Sequence, residues 1–282
     1  MSATILRIVL IVFSILVIVS LFGFYVSIRP PKIISPITPG DLKMVYEDVS
    51  FKTADGLTLR GWHIPAARTS AKTVILLHGY PADKGNILPA LAFLHEDFNL
   101  LLFDFRYLGQ SEGSYSTAGA KEVEDLLAAI QFLKSRGTTE VGVWGFSMGG
   151  AVALMALPQA PEIKAVVSES SYASLAGMAL QLFRIPALNY PIAYMVGFWA
   201  KLFLGIDLRE VSPAERIRTS TLPILLIHSS ADAVIPFAHA HELQQALANN
   251  PRAEFWFNQE SAHGQLASDY RARVTNFFHQ NL

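Results

Sequence analysis

Val141-Gly142-Val143-Trp144-Gly145-Phe146-Ser147-Met148-Gly149-Gly150 reads as a buried strand, a sharp turn and the opening of a helix that continues over Ala151–Ala156. The pattern Gly-x-Ser-x-Gly is weak when it stands alone. Placed between a strand and a helix, it describes a turn so tight that its flanking residues must be glycine. The serine then sits exposed at the tip with a helix N-terminus behind it. In that setting Ser147 is a candidate nucleophile, and the rest of the chain is read for the groups such a serine needs.

On either side of the turn, short apolar runs alternate with helical patterns. Thr73–Leu77, Leu100–Phe103, Ala165–Ser168 and Ile224–His228 have the composition of strands buried on both faces, and Glu254–Phe257 that of a last strand. Ile87–His95 is helical in pattern. Lys121–Ser135 carries Val123, Leu126, Leu127, Ile130 and Leu133 at helical spacing, and Ser268–Phe278 reads as a closing helix. Val45–Phe51 and Leu57–Ile64, joined at Ala54-Asp55-Gly56, predict a hairpin. This order predicts one α/β domain: a mostly parallel sheet with helices on both faces, entered by an antiparallel hairpin.

The stretch from Ala173 to Glu210 breaks the alternation with an insert rich in Leu182, Phe183, Tyr190, Tyr194, Met195, Phe198, Trp199 and Phe203. Two readings stay open. One is an apolar cap over the strand C-termini, where open α/β sheets bind ligands. The other is a pair of helices packed on the core with no ligand role.

A serine hydroxyl needs a base, and the base an orienting acid. His263, in the loop Ser261-Ala262-His263-Gly264 between the last strand and the last helix, is the predicted base. Asp232, four residues past the end of the strand Ile224–His228, is the predicted acid. Glu169, directly after Ala165–Ser168, is its rival. Acyl transfer also requires N–H donors for the developing oxyanion. The backbone N–H groups of Met148, beside the serine, and of Tyr80, in His78-Gly79-Tyr80-Pro81, are the predicted donors. His78 is expected to brace that loop and not to act as the base.

Composition narrows the function classes. A formal net charge of −1, with no basic cluster interleaved with aromatics, gives no footprint for nucleic acid. Zero cysteines exclude disulfides, thiolate metal sites and a cysteine nucleophile together. No H-E-x-x-H or similar ligand set occurs, so no metal site is expected. Hydrophobic residues reach 51% and charged residues only 16%, and part of that excess lies in the uncharged run Ile8–Ile28, long enough to cross a hydrocarbon core. Residues 1–29 are therefore expected to be a single-pass membrane anchor, with a cleaved signal peptide as the alternative. The charges flanking the run do not settle which side of the membrane the rest occupies. Residues 30–41, with Pro30, Pro31, Pro36 and Pro39, are expected to form an extended linker, and residues 42–282 the catalytic domain with its insert at about 173–210.

Taken together, these residues resemble the α/β-hydrolase superfamily over Val45 to Leu282. The match is carried by Leu76-Leu77-His78-Gly79, by Asp104-Phe105-Arg106-Tyr107-Leu108-Gly109-Gln110-Ser111-Glu112-Gly113, by the turn at Ser147, and by Asp232 and His263. With its apolar N-terminal run and Glu169-Ser170-Ser171-Tyr172, the chain is similar to the single-pass, membrane-anchored α/β-hydrolase-domain proteins. Two positions depart from the pattern: Tyr107 stands where a glycine is usual after Arg106, and Ser229 where one is usual after His228. The resemblance implies cofactor-free hydrolysis of a small-molecule ester or thioester, hydrophobic acyl groups being favoured by the insert and the anchor. The same triad would serve a serine peptidase or an acyltransferase. A non-enzymatic membrane scaffold is the reading from another class, opposed by the complete Ser, Asp, His order.

Overall fold

The computed structural model describes residues 2–70, 72–182 and 188–282. In chain order the elements are helix α1 (Ala3–Ile28), strands β1 (Glu47–Lys52), β2 (Thr58–Ile64) and β3 (Thr73–Leu77), helix α2 (Lys84–Leu91), β4 (Asn99–Phe103), α3 (Glu122–Ser135), β5 (Val141–Phe146), α4 (Met148–Ala156) and β6 (Ile163–Glu169). There follow α5 (Leu175–Leu182), α6 (Asn189–Leu204), α7 (Pro213–Ile217), β7 (Ile224–Ser229), α8 (Phe237–Ala246), β8 (Ala253–Asn258) and α9 (Tyr270–Asn281). The chain divides into two compact units. One comprises residues 31–173 and 213–282, the other residues 1–30 and 174–212.

In the larger unit the strands form one sheet in the order β1-β2-β4-β3-β5-β6-β7-β8. β1, β2 and β4 pair antiparallel, and every neighbour from β4 through β8 pairs parallel. The two kinds of strand have different burial for a physical reason. β3, β5, β6 and β7 are covered on both faces, so their side chains are buried almost without interruption. β1 alternates, with Val49 and Phe51 inward and their neighbours outward. On one face Val74, Leu76, Trp144, Val167 and Leu225 pack against helical residues including Leu88, Leu91, Val274 and Phe278. Burying side chains of this size stabilises by about 1.5–3 kcal/mol each before the entropy of ordering them is set against it.

Local chemistry moves two predicted boundaries. The helix after β3 begins before Ile87 because Asp83 caps it, its side chain accepting the Asn86 N–H at 3.0 Å. Its end tightens into a 3₁₀ turn over Ala92–Glu96. The proline-rich segment is fastened to the larger unit at two points. Ser35 donates its N–H and hydroxyl to the two carboxylate oxygens of Asp83, at 2.7 and 2.6 Å, and Lys32 Nζ reaches the Ser111 carbonyl at 3.1 Å. Asp83 thus serves a helix cap and a strap at once.

The smaller unit contains α1, α5 and α6. α1 is long and apolar enough to cross a membrane, by length and composition. It packs along α6: Phe24 of α1 is buried with Ile192, Val196 and Ala200, joined by Leu16 and Ile28. The Trp199 indole N–H donates to Ser20 Oγ at 3.0 Å, which satisfies the hydroxyl of an otherwise apolar helix. Among the described residues the insert contains two helices, α5 and α6. Phe183 lies outside the described residues, as does the side chain of Leu182.

Candidate active site

The site is assembled at the C-terminal ends of β5, β6 and β7. β5 ends in the tight turn, and Ser147 occupies it with φ 53° and ψ −115°, a conformation that L-residues avoid. Two features enforce it. The Ser147 N–H is tied to the Glu169 carbonyl at 2.8 Å. Gly145 and Gly149 also leave no space for side chains: a Cβ on Gly145 would lie 2.4 Å from Gly149 backbone, and one on Gly149 2.5 Å from the Leu77 carbonyl. Strand, turn and helix are in direct backbone contact, so the glycines are a steric requirement.

α4 starts at Met148, and its first intrahelical bond runs from Ala151 N–H to Ser147 O at 3.1 Å. The Met148 N–H precedes that bond and belongs to the open end of the helix, with the positive end of the helix dipole. The loop after β3 meets the same place. A Cβ on Gly79 would stand 3.3 Å from Ser147 Cβ, so the backbone leading into Tyr80 runs past the serine side chain. His78 braces this loop. Its Nε2 accepts the Phe105 N–H at 3.1 Å, which leaves the proton on Nδ1 to be donated to the Gly79 carbonyl at 2.8 Å. Burial holds its pKa below the usual imidazole range, so it remains neutral.

His263 is brought beside Asp232, with Nδ1 2.7 Å from Oδ2. The other carboxylate oxygen, Oδ1, accepts the N–H groups of Val234 and Ile235, both at 2.8 Å. Burial works against the Asp232 charge, but the His263 hydrogen bond and these N–H donors outweigh it and hold the carboxyl below its ordinary pKa. Asp232 is buried, and His263 stays partly exposed. The His263 ring rests on Phe146, the residue before the nucleophile, with centroids 4.6 Å apart. A Cβ on Gly264, which has φ +80°, would meet the same ring. One phenyl side chain thus links the histidine loop to the serine turn.

Glu169 takes a different partner. It lies at the end of β6, opposite Ile227 of β7, and accepts a hydrogen bond from the Tyr270 hydroxyl. That hydroxyl in turn accepts from the Trp144 indole N–H at 2.7 Å. The carboxyl is fully buried. Burial raises its pKa to about 7, the Tyr270 bond opposing the rise and the Asp232 charge adding to it. A carboxyl whose folded pKa exceeds its unfolded value of 4.5 contributes stability that is complete below 4.5 and lost as pH rises through about 7. The difference amounts to about 3 kcal/mol. Glu169→Gln removes the titration, so the stability gap between variant and wild type is expected to widen in the variant's favour from pH 5 to pH 8. Urea unfolding at both values measures it, and parallel curves would refute the assignment.

Two further histidines of the larger unit are engaged by main-chain groups. His228 Nε2 lies 3.0 Å from the Ile235 carbonyl and 3.9 Å from Asp232 Oδ2. His239 Nδ1 accepts the Ala173 N–H at 3.2 Å, and burial drives its pKa down to about 4. Of the two departures noted in the sequence, Tyr107 has φ +67°, which explains the usual glycine there. Ser229 uses its hydroxyl to accept the Ala231 N–H at 3.1 Å, shaping the turn that carries Asp232. Sequence reasoning missed the Trp144–Tyr270–Glu169 chain. Tyr270 is an unremarked aromatic at the start of α9, and nothing local marks it as a partner for a carboxylate 101 residues earlier.

The sequence model of a family described as the alpha/beta hydrolase fold matches residues 72–222. Among relatives, the uncharacterized protein YfhR of Escherichia coli O157:H7 is 32% identical over 82% of this chain and 80% of its own. The thiohydrolase apmlB of Arthrinium phaeospermum is 35% identical over 43% of this chain and 42% of its own. Among solved structures, the esterase Pf2001 of Pyrococcus furiosus superposes with a TM-score of 0.76 at 30% identity, covering 90% of this chain and 98% of that one.

Proposed function

This chain belongs to the α/β-hydrolase fold family, and we propose that it is a serine hydrolase working through a Ser147–His263–Asp232 triad, with the backbone N–H groups of Tyr80 and Met148 as the oxyanion hole. The observation that carries this reading is the 2.7 Å contact of His263 Nδ1 with Asp232 Oδ2. It puts the ring proton on Nδ1 and leaves Nε2 as the free base. In the first half-reaction His263 Nε2 takes the Ser147 hydroxyl proton while Oγ bonds to the acyl carbon. The bond to the leaving oxygen or sulfur then breaks, and that atom departs with the proton from His263. Water enters, gives a proton to His263 and forms the acid. Ser147 Oγ recovers the proton as the acyl-enzyme bond breaks.

Esters and thioesters are the proposed substrate class. The Pyrococcus esterase and the Arthrinium thiohydrolase support it, since both bonds are cleaved by the same acyl-enzyme chemistry. A hydrophobic acyl group is the proposed preference within that class. In support, α5 and α6 of the insert are rich in apolar side chains, among them Leu180, Val196 and Trp199. The proposed setting is a bilayer that holds α1.

A fluorophosphonate probe tests the mechanism directly. Stoichiometric labelling is expected, with the added mass on the peptide that contains Ser147. Folded protein that stays unlabelled, or label on another serine, would overturn the proposal.

A further inference from the structure

We propose that α6, as well as α1, lies in the membrane leaflet, with Tyr190, Tyr194, Phe198 and Leu202 facing lipid. The inference rests on the reading of α1 as a membrane anchor and extends it to the insert. The spacing of these four residues is four throughout, so they form one stripe along the helix. All are exposed, Tyr194 to 74%, Leu202 to 59% and Phe198 to 57%. Phe203, beside the stripe, is also exposed and stacks on Phe24 of α1, centroids 6.1 Å apart. Lys201 is the one charged residue of α6, and it pairs with Asp207 at 3.1 Å.

The packing on α1 names the occupant of this face. Ser20 meets Trp199 and Phe24 meets Phe203, so the two helices run side by side in the same direction. The contact spans Leu16 to Ile28 of α1, about 18 Å at 1.5 Å per residue, more than half the thickness of a hydrocarbon core. The outer faces of α1 on this stretch are exposed and apolar, at Ile18, Leu21, Phe22 and Tyr25. Lipid that bathes those residues reaches α6, because α6 is packed directly on the helix they belong to. Its apolar stripe is continuous with the exposed surface of α1. A face of this kind in water would be an unusually large uncovered apolar patch, whereas Tyr and Phe at the headgroup boundary are in a favoured place.

The absence of cysteine makes the test clean, since an introduced cysteine is the sole thiol of the chain. Full-length Y194C, F198C, I11C and K164C proteins are each labelled with an environment-sensitive fluorophore and reconstituted in phosphatidylcholine vesicles. I11C reports on α1, and K164C is a solvent reference on the larger unit. Fluorophosphonate labelling of each variant verifies its fold. The expected result is strong quenching by nitroxide-labelled lipid at positions 194, 198 and 11, with iodide quenching several-fold weaker there than at 164. Lipid contact at position 11 with iodide access at 194 and 198 equal to that at 164 would overturn the inference and leave the anchor standing. Iodide access at all four would remove the anchor and the inference together. Probes at 194 and 198 shielded from both quenchers would mean burial against a second protein copy and would also overturn it.

Discussion

Ser147→Gly is expected to lower kcat/KM for a p-nitrophenyl ester by about 10⁴-fold or more, because the proposed nucleophile is lost while binding and the oxyanion donors remain. The same variant is expected to be more stable than wild type. Ser147 is held at φ 53° and ψ −115°, where a Cβ costs of order 1–3 kcal/mol and glycine has no such cost. Glycine also loses more backbone entropy on folding, which takes back about 0.4–1 kcal/mol. The net gain expected is therefore about 1 kcal/mol. Denaturant unfolding beside the ester assay checks both halves. Retained turnover would remove Ser147 from the mechanism, and a large loss of stability would show that its hydroxyl holds the turn together. The strain and the chemistry belong to one residue: Ser147 is buried where the sequence led to an exposed tip, and it is held in a conformation that a serine would not adopt unforced.

Asp232→Asn is expected to reduce kcat about 10⁴-fold with little change in KM. The size follows from how the carboxylate is wired. Oδ1 is committed to the N–H groups of Val234 and Ile235, so the asparagine must keep its carbonyl oxygen there. Its NH₂ group is then forced into the position of Oδ2, 2.7 Å from His263 Nδ1. There it donates to Nδ1, the ring proton moves to Nε2, and the base has no lone pair for the serine proton. Glu169→Gln is expected to leave kcat within about tenfold of wild type, because its carboxyl is bonded to Tyr270 and the glutamine carbonyl accepts the same bond. Ester hydrolysis by the two variants at one pH decides between the carboxylates. A larger loss in Glu169→Gln would transfer the orienting role to it.

The two carboxylates mark the boundary between what pattern reading reaches and what it does not. Asp232 and Glu169 both follow an apolar strand, and both carry the right chemistry. β6 and β7 are neighbours in the sheet, so their C-terminal ends differ in position by a single strand spacing. Chain order favours Asp232, and only side-chain geometry shows which one meets His263. The proline-rich segment teaches a similar lesson. Its composition predicts extended backbone but carries no sign of the Ser35–Asp83 bonds that fasten it.

By itself the sequence determined the alternation of strands and helices, the turn at Ser147 and the apolar length of α1. Each depends on interactions within a few residues: steric demand at Gly145 and Gly149, helical or strand periodicity, and the hydrophobicity of a continuous run. Tertiary structure decided the rest. It set Asp232 on His263, committed Glu169 to Tyr270, and laid α6 of the insert along α1 through a Trp199–Ser20 bond that spans 179 residues. Hydrogen bonds of that range leave no periodic trace, because their geometry is fixed by the packing of whole elements. Tertiary contacts also build the surroundings of Ser147. Its turn is held by backbone contact with the loop after β3 and with Glu169, and the ring of Phe146 beside it supports the histidine.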